Sequence, residues 1–421
     1  MRASLAGVPT DPLPQGFAPG GRTAALAALA RIDPAAYGRD RNHLDGHVSR
    51  LSPYLRHGVL GLAEVRDHAL SVVPDPGRAW KFVDELSWRD FFQRVYEALG
   101  DGIWRDLGAY KSGIPATEYA ATLPPDIADG STGLACVDAW SRELAGTGYL
   151  HNHVRMWVAS YVVHHRRVSW QAGARWFLTH LLDGDPASNN LSWQWVASTW
   201  RHRPYTWTRA NLRKYAGDRY CGGCPVREAG CPFATSYERL AERLFESEHP
   251  DEGSAAAAET AQRLRSVPSA APADPEPGPE GGTLVWVHGD RLSPTHEALA
   301  AHPRAPALFV WDEDLLEAWA IGDRRVRFLT ECLDELPVRV ARGDVADRLV
   351  EAAREAGAQV VATTGSPSPR FRVITERLRD AGLDVRVWQP PPFVAVTGTL
   401  DLRSHARYWQ QVKALAFPAA G

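Results

Sequence analysis

Polar side chains that can hold a ligand are concentrated between residues 148 and 195, among large aromatic side chains. Asp183 and Asp185 flank a glycine, and Asn152 shares a predicted helical face with Arg155. Five tryptophans accompany them, at positions 157, 170, 176, 193 and 195. Surface loops rarely hold so many aromatics, and plain cores rarely hold so many carboxylates and amides. The stretch therefore predicts a buried site for a large, planar ligand with polar edges.

The two close carboxylates can bind a metal ion, act as acid and base, or pair with arginines. Divalent metals recruit further oxygen ligands, and none stands at local spacing here. Arginine pairing and hydrogen bonds to a ligand are therefore the preferred interpretation. Asn189 and Asn190 are predicted to cap the helix that follows. Trp193 and Trp195, two residues apart, point to roughly opposite faces of that helix.

A second polar group precedes Pro53, a residue that suits the start of a helix. Ser49 and Ser52 supply hydroxyls, and Arg50 or Arg41 can add positive charge. Such a helix start can bind a phosphate, although a merely capped helix gives the same pattern.

The segment 82–92 predicts one wall of a site. Glu85, Trp88 and Arg89 fall on one helical face. A carboxylate and a guanidinium can bond the edge of a base while the indole stacks on it. The alternative is a surface Glu–Arg pair beside a core tryptophan.

The run from Arg201 to Arg219 contains six Arg or Lys residues with aromatics among them, and no acidic residue occurs between 186 and 217. Phosphate contacts combined with stacking are typical of a nucleic-acid groove. A solvated basic face is the alternative. Because the whole chain has a formal net charge of −3, any such site is a local patch.

Three cysteines, Cys221, Cys224 and Cys231, have a spacing typical of metal ligands. Cys136 is the only other cysteine in this half of the chain and would complete a set of four. Four thiolates suit Zn²⁺ or a [4Fe–4S] cluster. Free buried thiols are the alternative.

Periodicity predicts an all-α domain followed by an α/β domain with a parallel, Rossmann-like sheet. The predicted divisions are a flexible N-terminus (1–22), the all-α domain (23–246), an Ala/Pro/Glu/Gly-rich linker with one short helix (247–282), the α/β domain (283–395) and a C-terminal extension (396–421). Predicted helices of the first domain are 23–32, 60–72, 79–98, 137–146, 151–165, 170–181, 190–198 and 234–246. Predicted strands are 283–289, 307–312, 338–343, 359–365 and 384–389.

No run approaches the length of a membrane span, and the N-terminus has no apolar core of a signal peptide. We therefore expect a cytoplasmic protein that does not bind membranes, and we expect a monomer.

The motifs SRLSPYL, ELSWRDFF, TGYLHNHVRM and LLDGDPASNNLSWQW together resemble the photolyase/cryptochrome family of flavoproteins. The match covers most of 37–215. In that family an all-helical domain binds FAD and an α/β antenna domain precedes it, so the order here is permuted. The resemblance also implies a second, antenna chromophore. The cysteines resemble the iron–sulfur branch of bacterial photolyases, which favours [4Fe–4S] over zinc.

The resemblance assigns roles to the site residues. FAD contacts are expected from Tyr37, Ser49, Arg50, Leu51, Ser52, Arg89, Asn152, Arg155, Asp183, Asp185 and Asn189. Catalytic roles fall to Glu85, Trp88, Asn189 and Trp195, and electron transfer to Trp193 and Trp170. DNA contacts are expected from Trp88, His153, Met156, Trp195, Arg201 and Arg203. The predicted metal ligands are Cys136, Cys221, Cys224 and Cys231.

The function implied is light-driven repair of UV-induced pyrimidine lesions in DNA, by electron transfer from excited, reduced FAD to a flipped-out lesion. The alternatives are a cryptochrome-like blue-light photoreceptor and a flavin-binding relic with neither activity. The basic run favours repair. His153, which stands where many repairing members carry an arginine, favours sensing. The usual third tryptophan of the electron-transfer chain is absent near Ile127, which leaves Trp140, Trp157 or a tyrosine as outer donor.

Overall fold

A computed structural model describes residues 18–246, 255–269, 273–278 and 281–417, so most of the predicted flexible N-terminus lies outside the described residues. Helices dominate the first part of the chain, as predicted. They are α1 (Arg22–Leu29), α2 (Pro34–Asp40), α3 (Ser52–Arg56), α4 (Leu62–Ser71), α5 (Trp80–Leu99), α6 (Pro125–Asp129), α7 (Ala135–Thr147), α8 (Asn152–Ser160), α9 (Trp170–His180), α10 (Pro186–Ala197), α11 (Arg209–Ala216) and α12 (Tyr237–Leu244).

The long helices agree with the predicted ones to within a few residues, because their apolar stripes span several turns. Helices α2 and α6 are only five to seven residues long and were not predicted, and neither was α11, whereas α3 confirms the helix start predicted at Pro53. A π-helical turn, Tyr161–His165, follows α8 directly, so the predicted helix 151–165 is continuous but changes its winding.

The start of α10 differs from the prediction. Asp185 is the N-cap residue, and its carboxylate accepts hydrogen bonds from the backbone N–H groups of Ala187 and Ser188. Pro186 occupies the first turn, where its missing N–H costs nothing. The prediction that Asn189 and Asn190 cap this helix was wrong, since both already lie inside it.

The second part of the chain forms a five-stranded, all-parallel sheet in the order β4-β3-β2-β5-β6. Its strands are β2 (Thr283–Val287), β3 (Ala307–Asp312), β4 (Arg339–Gly343), β5 (Val360–Thr364) and β6 (Asp384–Trp388), with β1 (Val267–Pro268) lying earlier in the chain. The helices around it are α14 (Glu297–Ala301), α15 (Glu313–Ala318), α16 (Asp323–Leu333), α17 (Val345–Ala356) and α18 (Pro369–Asp380), with α13 (Ala255–Arg263) lying before β1. The predicted fold class is confirmed.

Successive residues of a strand face opposite sides of the sheet, and here the two sides join different cores. Val285 and Val287 of β2 belong to a cluster that continues into the helical part of the chain. Leu284 and Trp286 pack instead with α17 and α18. One face of the sheet is therefore built into the helical body.

The linker and the C-terminal extension meet each other. Helix α13 confirms the predicted short helix in the linker. Strand β1 pairs antiparallel with β7 (Thr399–Leu400), and the last helix, α19 (His405–Ala416), then packs on α5. Tyr408 is fully buried there, and its hydroxyl donates to Asp90 of α5. None of the described helices is long and apolar enough to span a bilayer.

Candidate functional site

A cavity of about 580 Å³ opens among α3, α5, α8 and α10, a volume ordinary for a small-molecule site. It brings together side chains from four segments of the sequence. The predicted residues that line it are Tyr37, Ser49, Arg50, Leu51, Ser52, Glu85, Trp88, Arg89, Asn152, Arg155, Met156, Asp183, Asn189, Trp193 and Trp195.

A bidentate ion pair forms the polar floor of this cavity. The Arg155 guanidinium contacts both oxygens of Asp183 at 3.0 Å, and its Nε donates to the Leu150 carbonyl at 2.9 Å. Burial works to raise the pKa of Asp183, but Arg155 outweighs it and holds that pKa below its ordinary value. The predicted arginine pairing is confirmed, and Asp183 is an anion at neutral pH.

Asn189 lies beside this pair with its amide group fixed. Its Nδ2 donates to the carbonyl of Ala174 at 3.0 Å and to Oδ1 of Asn190 at 3.2 Å. Neither bond uses the carboxamide oxygen of Asn189. Because Asn189 lines the cavity, that oxygen is the group it can offer to a ligand N–H.

The α5 wall carries charges that pair across helices. Glu85 contacts Arg41 at 2.7 Å and Lys81 at 2.8 Å. Arg89 instead contacts Asp185 at 3.3 Å. The alternative of a simple surface pair between Glu85 and Arg89 is therefore wrong.

Asp185 does not line the cavity. Besides capping α10, its carboxylate accepts from Gln93 at 2.7 Å and from Arg89. The prediction that Asp185 contacts the ligand is thus not met, because these hydrogen bonds already occupy its carboxylate outside the cavity. Its effect on a ligand passes through Arg89.

The end of the cavity near Ser49 suits an anionic group. Arg50 lines it, stacks over the Tyr149 ring at 5.0 Å, and belongs to no ion pair in the described part of the chain. Its φ of 53° lies in the left-handed region, which is costly for a side chain of this size. Strain of this kind collects at functional sites. Lys81 and Tyr149 also line this cavity, and the sequence analysis missed both.

Trp193 of α10 packs against α9, the helix that begins at Trp170. Trp193 lines the cavity, and its ring presses on Gly173, where an added Cβ would come within 2.3 Å of it. Trp170 lies one turn before Gly173 in α9. It is fully buried and donates its indole N–H to Asp106 at 2.6 Å.

The residues around Trp170 indicate which side chains could act as the outer electron donor. Tyr110 hydrogen-bonds the backbone of Trp170 and stacks on Tyr119 with centroids 4.3 Å apart. Trp140 and Trp157 belong to the same core, but their ring contacts are with each other and with Trp207.

The predicted DNA contacts separate into two groups. Trp195 lies in the cavity wall, and the Arg201 guanidinium stacks over its ring at 3.9 Å. Arg203 is exposed. His153 lies outside the cavity, between the rings of Trp157 and Tyr215, and its Nδ1 contacts the Asn42 carbonyl at 2.8 Å. Those contacts give His153 a packing role.

The back of Trp88 is covered by the C-terminal helix. His405 stacks on its indole with centroids 3.7 Å apart and planes at 10°. The imidazole Nε2 also meets the Ser87 hydroxyl at 2.8 Å. Burial lowers the pKa of His405 to about 4, so the ring is neutral at pH 7.

The four predicted metal ligands lie close enough to influence one another. Cys136 is buried, and burial, together with the nearby thiols of Cys221, Cys224 and Cys231, raises its pKa. Within the described ranges, however, no group of three or more His, Cys, Asp or Glu side chains is arranged to hold a metal ion. The metal centre therefore stays a prediction.

A second cavity, of about 660 Å³, lies where the sheet meets the helical body. Arg56 crosses it to pair with Asp290. Burial works to raise the pKa of Asp290, but the Arg56 charge opposes it and the pKa stays well below its ordinary value. Aromatic side chains such as Trp286 and Phe371 line it together with aliphatic and charged side chains.

Comparison with known proteins bears on residues 82–215, which match the model of the FAD binding domain of DNA photolyase. A deoxyribodipyrimidine photo-lyase of Streptomyces griseus is 36% identical over 206 residues, covering 46% of this chain and 44% of that protein. One from Halobacterium salinarum is 35% identical over 167 residues, covering 38% and 34%.

Among solved structures, a cryptochrome of Synechocystis sp. PCC6803 aligns with a TM-score of 0.44 and 26% identity, covering 49% of this chain and 46% of that one. The chain spans less than half the length of the curated relatives named above. The matched segment contains the α5 wall, the Arg155–Asp183 floor and Asn189. Residues 82–215 of this chain are therefore similar to the FAD binding domain of DNA photolyases.

Proposed function

We propose that this protein is a light-driven DNA repair enzyme of the photolyase type, acting on pyrimidine lesions. One observation carries the proposal. A single cavity presents Asn189 and the Arg155–Asp183 pair on its floor and Trp88 and Trp195 on its wall. The first set suits a flavin and the second suits a stacked base.

FAD, when bound, supplies the light-driven electron transfer, and the chain supplies binding and orientation. The residues at the cavity fit that cofactor: among the described residues Arg50 forms no ion pair, and the printed bonds of Asn189 leave its carboxamide oxygen unused. Trp88 and Trp195 would stack on an extruded base, while Glu85 accepts a hydrogen bond from its edge. Trp193 and Trp170 would carry electrons inward, with Tyr110 and Tyr119 as the outer donors.

Trp88 should contribute strongly to recognition of a damaged site. Replacing Trp88 with Ala removes one stacking surface, and we expect about ten- to a hundredfold weaker binding of lesion DNA. Trp88→Phe, which keeps an aromatic face, should retain most of the affinity. The measurement is a titration with DNA carrying a cyclobutane dimer or a (6-4) lesion, followed by illumination of the reduced protein.

The same assay separates repair from sensing. Loss of lesions under light but not in the dark supports the repair proposal. If neither lesion disappears while FAD is bound, repair is refuted and the cryptochrome-like photoreceptor is favoured. A protein that binds no FAD would refute both.

We also propose that Cys136, Cys221, Cys224 and Cys231 hold a [4Fe–4S] cluster, on the strength of their spacing and mutual proximity. Anaerobically purified protein should then contain iron and acid-labile sulfide, and Cys224→Ser should lose both. Cys332→Ser is the matched control, because that thiol is buried in the α/β part of the chain. Protein without iron would leave free thiols or zinc as the answer.

The cavity between the sheet and the helical body is our proposed site for a second chromophore. Its volume and its mixture of aromatic and charged side chains support this role. The permuted order of the two domains and the prediction of a monomer likewise remain proposals.

A further inference from the structure

The loop that carries Asp183 is held by the α/β part of the chain. Helix α16 begins beside it, and the backbone N–H of Gly322 donates to the Thr179 carbonyl at 3.0 Å. The Thr179 hydroxyl in turn donates to the Trp319 carbonyl at 3.3 Å. Hydrogen bonds therefore join the segment 178–184 to the backbone at the start of α16.

Arg325 is the centre of this contact. It is 2% exposed, and its guanidinium donates to the Gly184 carbonyl at 2.6 Å and to the Leu178 carbonyl at 3.3 Å. No described ion pair includes it, and its Nε is buried without a partner. A buried cation that bonds only carbonyls is expensive to maintain.

A second cation, Arg56, contacts the same carbonyl oxygen of Gly184. Arg56 Nε donates to the Gly184 oxygen at 3.0 Å, while Arg56 also pairs with Asp290 of the α/β part. Two guanidinium groups thus fix the peptide between Asp183 and Asp185. Space is tight as well, because a Cβ on Gly184 would lie 2.7 Å from the Arg325 guanidinium.

Fixing this peptide sets the direction of both carboxylates. Asp183 points to Arg155 on the cavity floor, and Asp185 points to Arg89 behind the wall. A small rotation at Gly184 would move both ion pairs together.

We propose that Arg325 is a positioning residue for the flavin site, by which the α/β part of the chain holds the Asp183–Asp185 loop in its ligand-binding geometry. The inference rests on the proposed function, because it assumes that FAD occupies the cavity. It assigns the α/β part a role in cofactor binding that does not depend on any ligand of its own.

The test measures FAD binding in the dark, without DNA. Arg325→Met should weaken FAD affinity about tenfold, which is about 1.4 kcal/mol, and should shift the visible absorption band of the bound flavin. Arg325→Lys, which keeps one charged donor, should restore part of the affinity. The matched control is Arg324→Met, since this neighbouring arginine is half-buried and donates to the Ala145 carbonyl rather than to the Asp183–Asp185 loop.

A second variant tests whether weaker FAD binding by Arg325→Met comes only from misfolding. Gly184→Ala keeps the arginine at position 325, but the added methyl group displaces the Arg325 guanidinium. The variant should therefore weaken FAD binding to a similar extent. In the double variant the combined loss should be smaller than the sum of the two, because both substitutions break the Arg325–Gly184 contact; only the approach of the added Cβ to the Leu181 carbonyl oxygen, at 3.0 Å, is separate.

The outcomes are distinct. If Arg325→Met binds FAD as wild type does, or no worse than Arg324→Met, the inference is overturned while the proposed function stands. Additive losses in the double variant also overturn the inference, as does an unchanged absorption band of the bound flavin. Arg325 would then only join the two parts of the chain. If wild type itself binds no FAD, the proposed function fails.

Discussion

Replacing Asp183 with Asn should lower FAD affinity by at least about a hundredfold. The change keeps the shape of the side chain but leaves the Arg155 guanidinium without its carboxylate on the cavity floor. Breaking a buried pair by removing one partner costs about 3–5 kcal/mol, which exceeds the ~2.7 kcal/mol of a hundredfold change. Equilibrium titration of the apoprotein with FAD, followed by fluorescence, measures the effect.

Asp126→Asn is the matched control for that substitution. Asp126 also forms a bidentate pair, with Arg166, but at the surface and away from the cavity. Exposed pairs contribute about 0–1 kcal/mol, so FAD affinity should stay unchanged. Equal losses in the two variants would show that Asp183 acts on general stability rather than on the ligand.

The same residue fixes the pH dependence of binding. Since the folded pKa of Asp183 lies below its ordinary value, the ion pair stabilises the site fully above about pH 4. That stabilisation is lost as the pH falls through the folded pKa. Wild-type protein should therefore retain FAD from neutral pH down to about pH 4 and release it below. The Asp183→Asn variant should lack this acid step.

Replacing Tyr408 with Ala should lower the free energy of unfolding by about 3–5 kcal/mol, the usual cost of truncating a buried aromatic side chain. Tyr408 is fully buried between α19 and α5, and its hydroxyl bonds Asp90. Tyr408→Phe keeps the packing and loses only that bond, so it should cost about 1.5–3 kcal/mol at most. Urea denaturation measures both.

Leu415→Ala provides the comparison on the same helix. Leu415 is 47% exposed, and its truncation should stay within about 0.5 kcal/mol of wild type. If Tyr408→Ala unfolds at the wild-type urea concentration, α19 is not docked on α5 in solution. The stacking of His405 on Trp88 would then not exist either.

Most of the fold follows from local patterns. Buried parallel strands are nearly continuous apolar runs, and the strand boundaries predicted from them differ from the observed ones by at most two residues. The helix α19 carries an apolar stripe at His405, Tyr408, Trp409 and Val412, with the spacing of a helical face. No helix was predicted there, and the stripe alone does not indicate which helix covers it, because the partner lies more than 300 residues away.

The site was predictable where the chemistry is local and not where it depends on the direction of a side chain. Asp183 and Asp185 stand two apart in the same turn, yet only Asp183 lines the cavity. The sequence cannot separate them, because the Asp185 carboxylate is drawn away by its role as a helix cap. Arg325 gave no signal at all, since it follows Arg324 in a helix rich in arginines.

The stacking of His405 on Trp88 has a consequence for biosynthesis. Domains generally fold as they leave the ribosome, starting from the N-terminus. The α5 wall is made early, but the imidazole that backs it is synthesised only after the whole parallel sheet. A nascent chain can therefore assemble the cavity around Asp183 while Trp88 is still unsupported, and the wall that carries Trp88 becomes complete only when synthesis has passed His405.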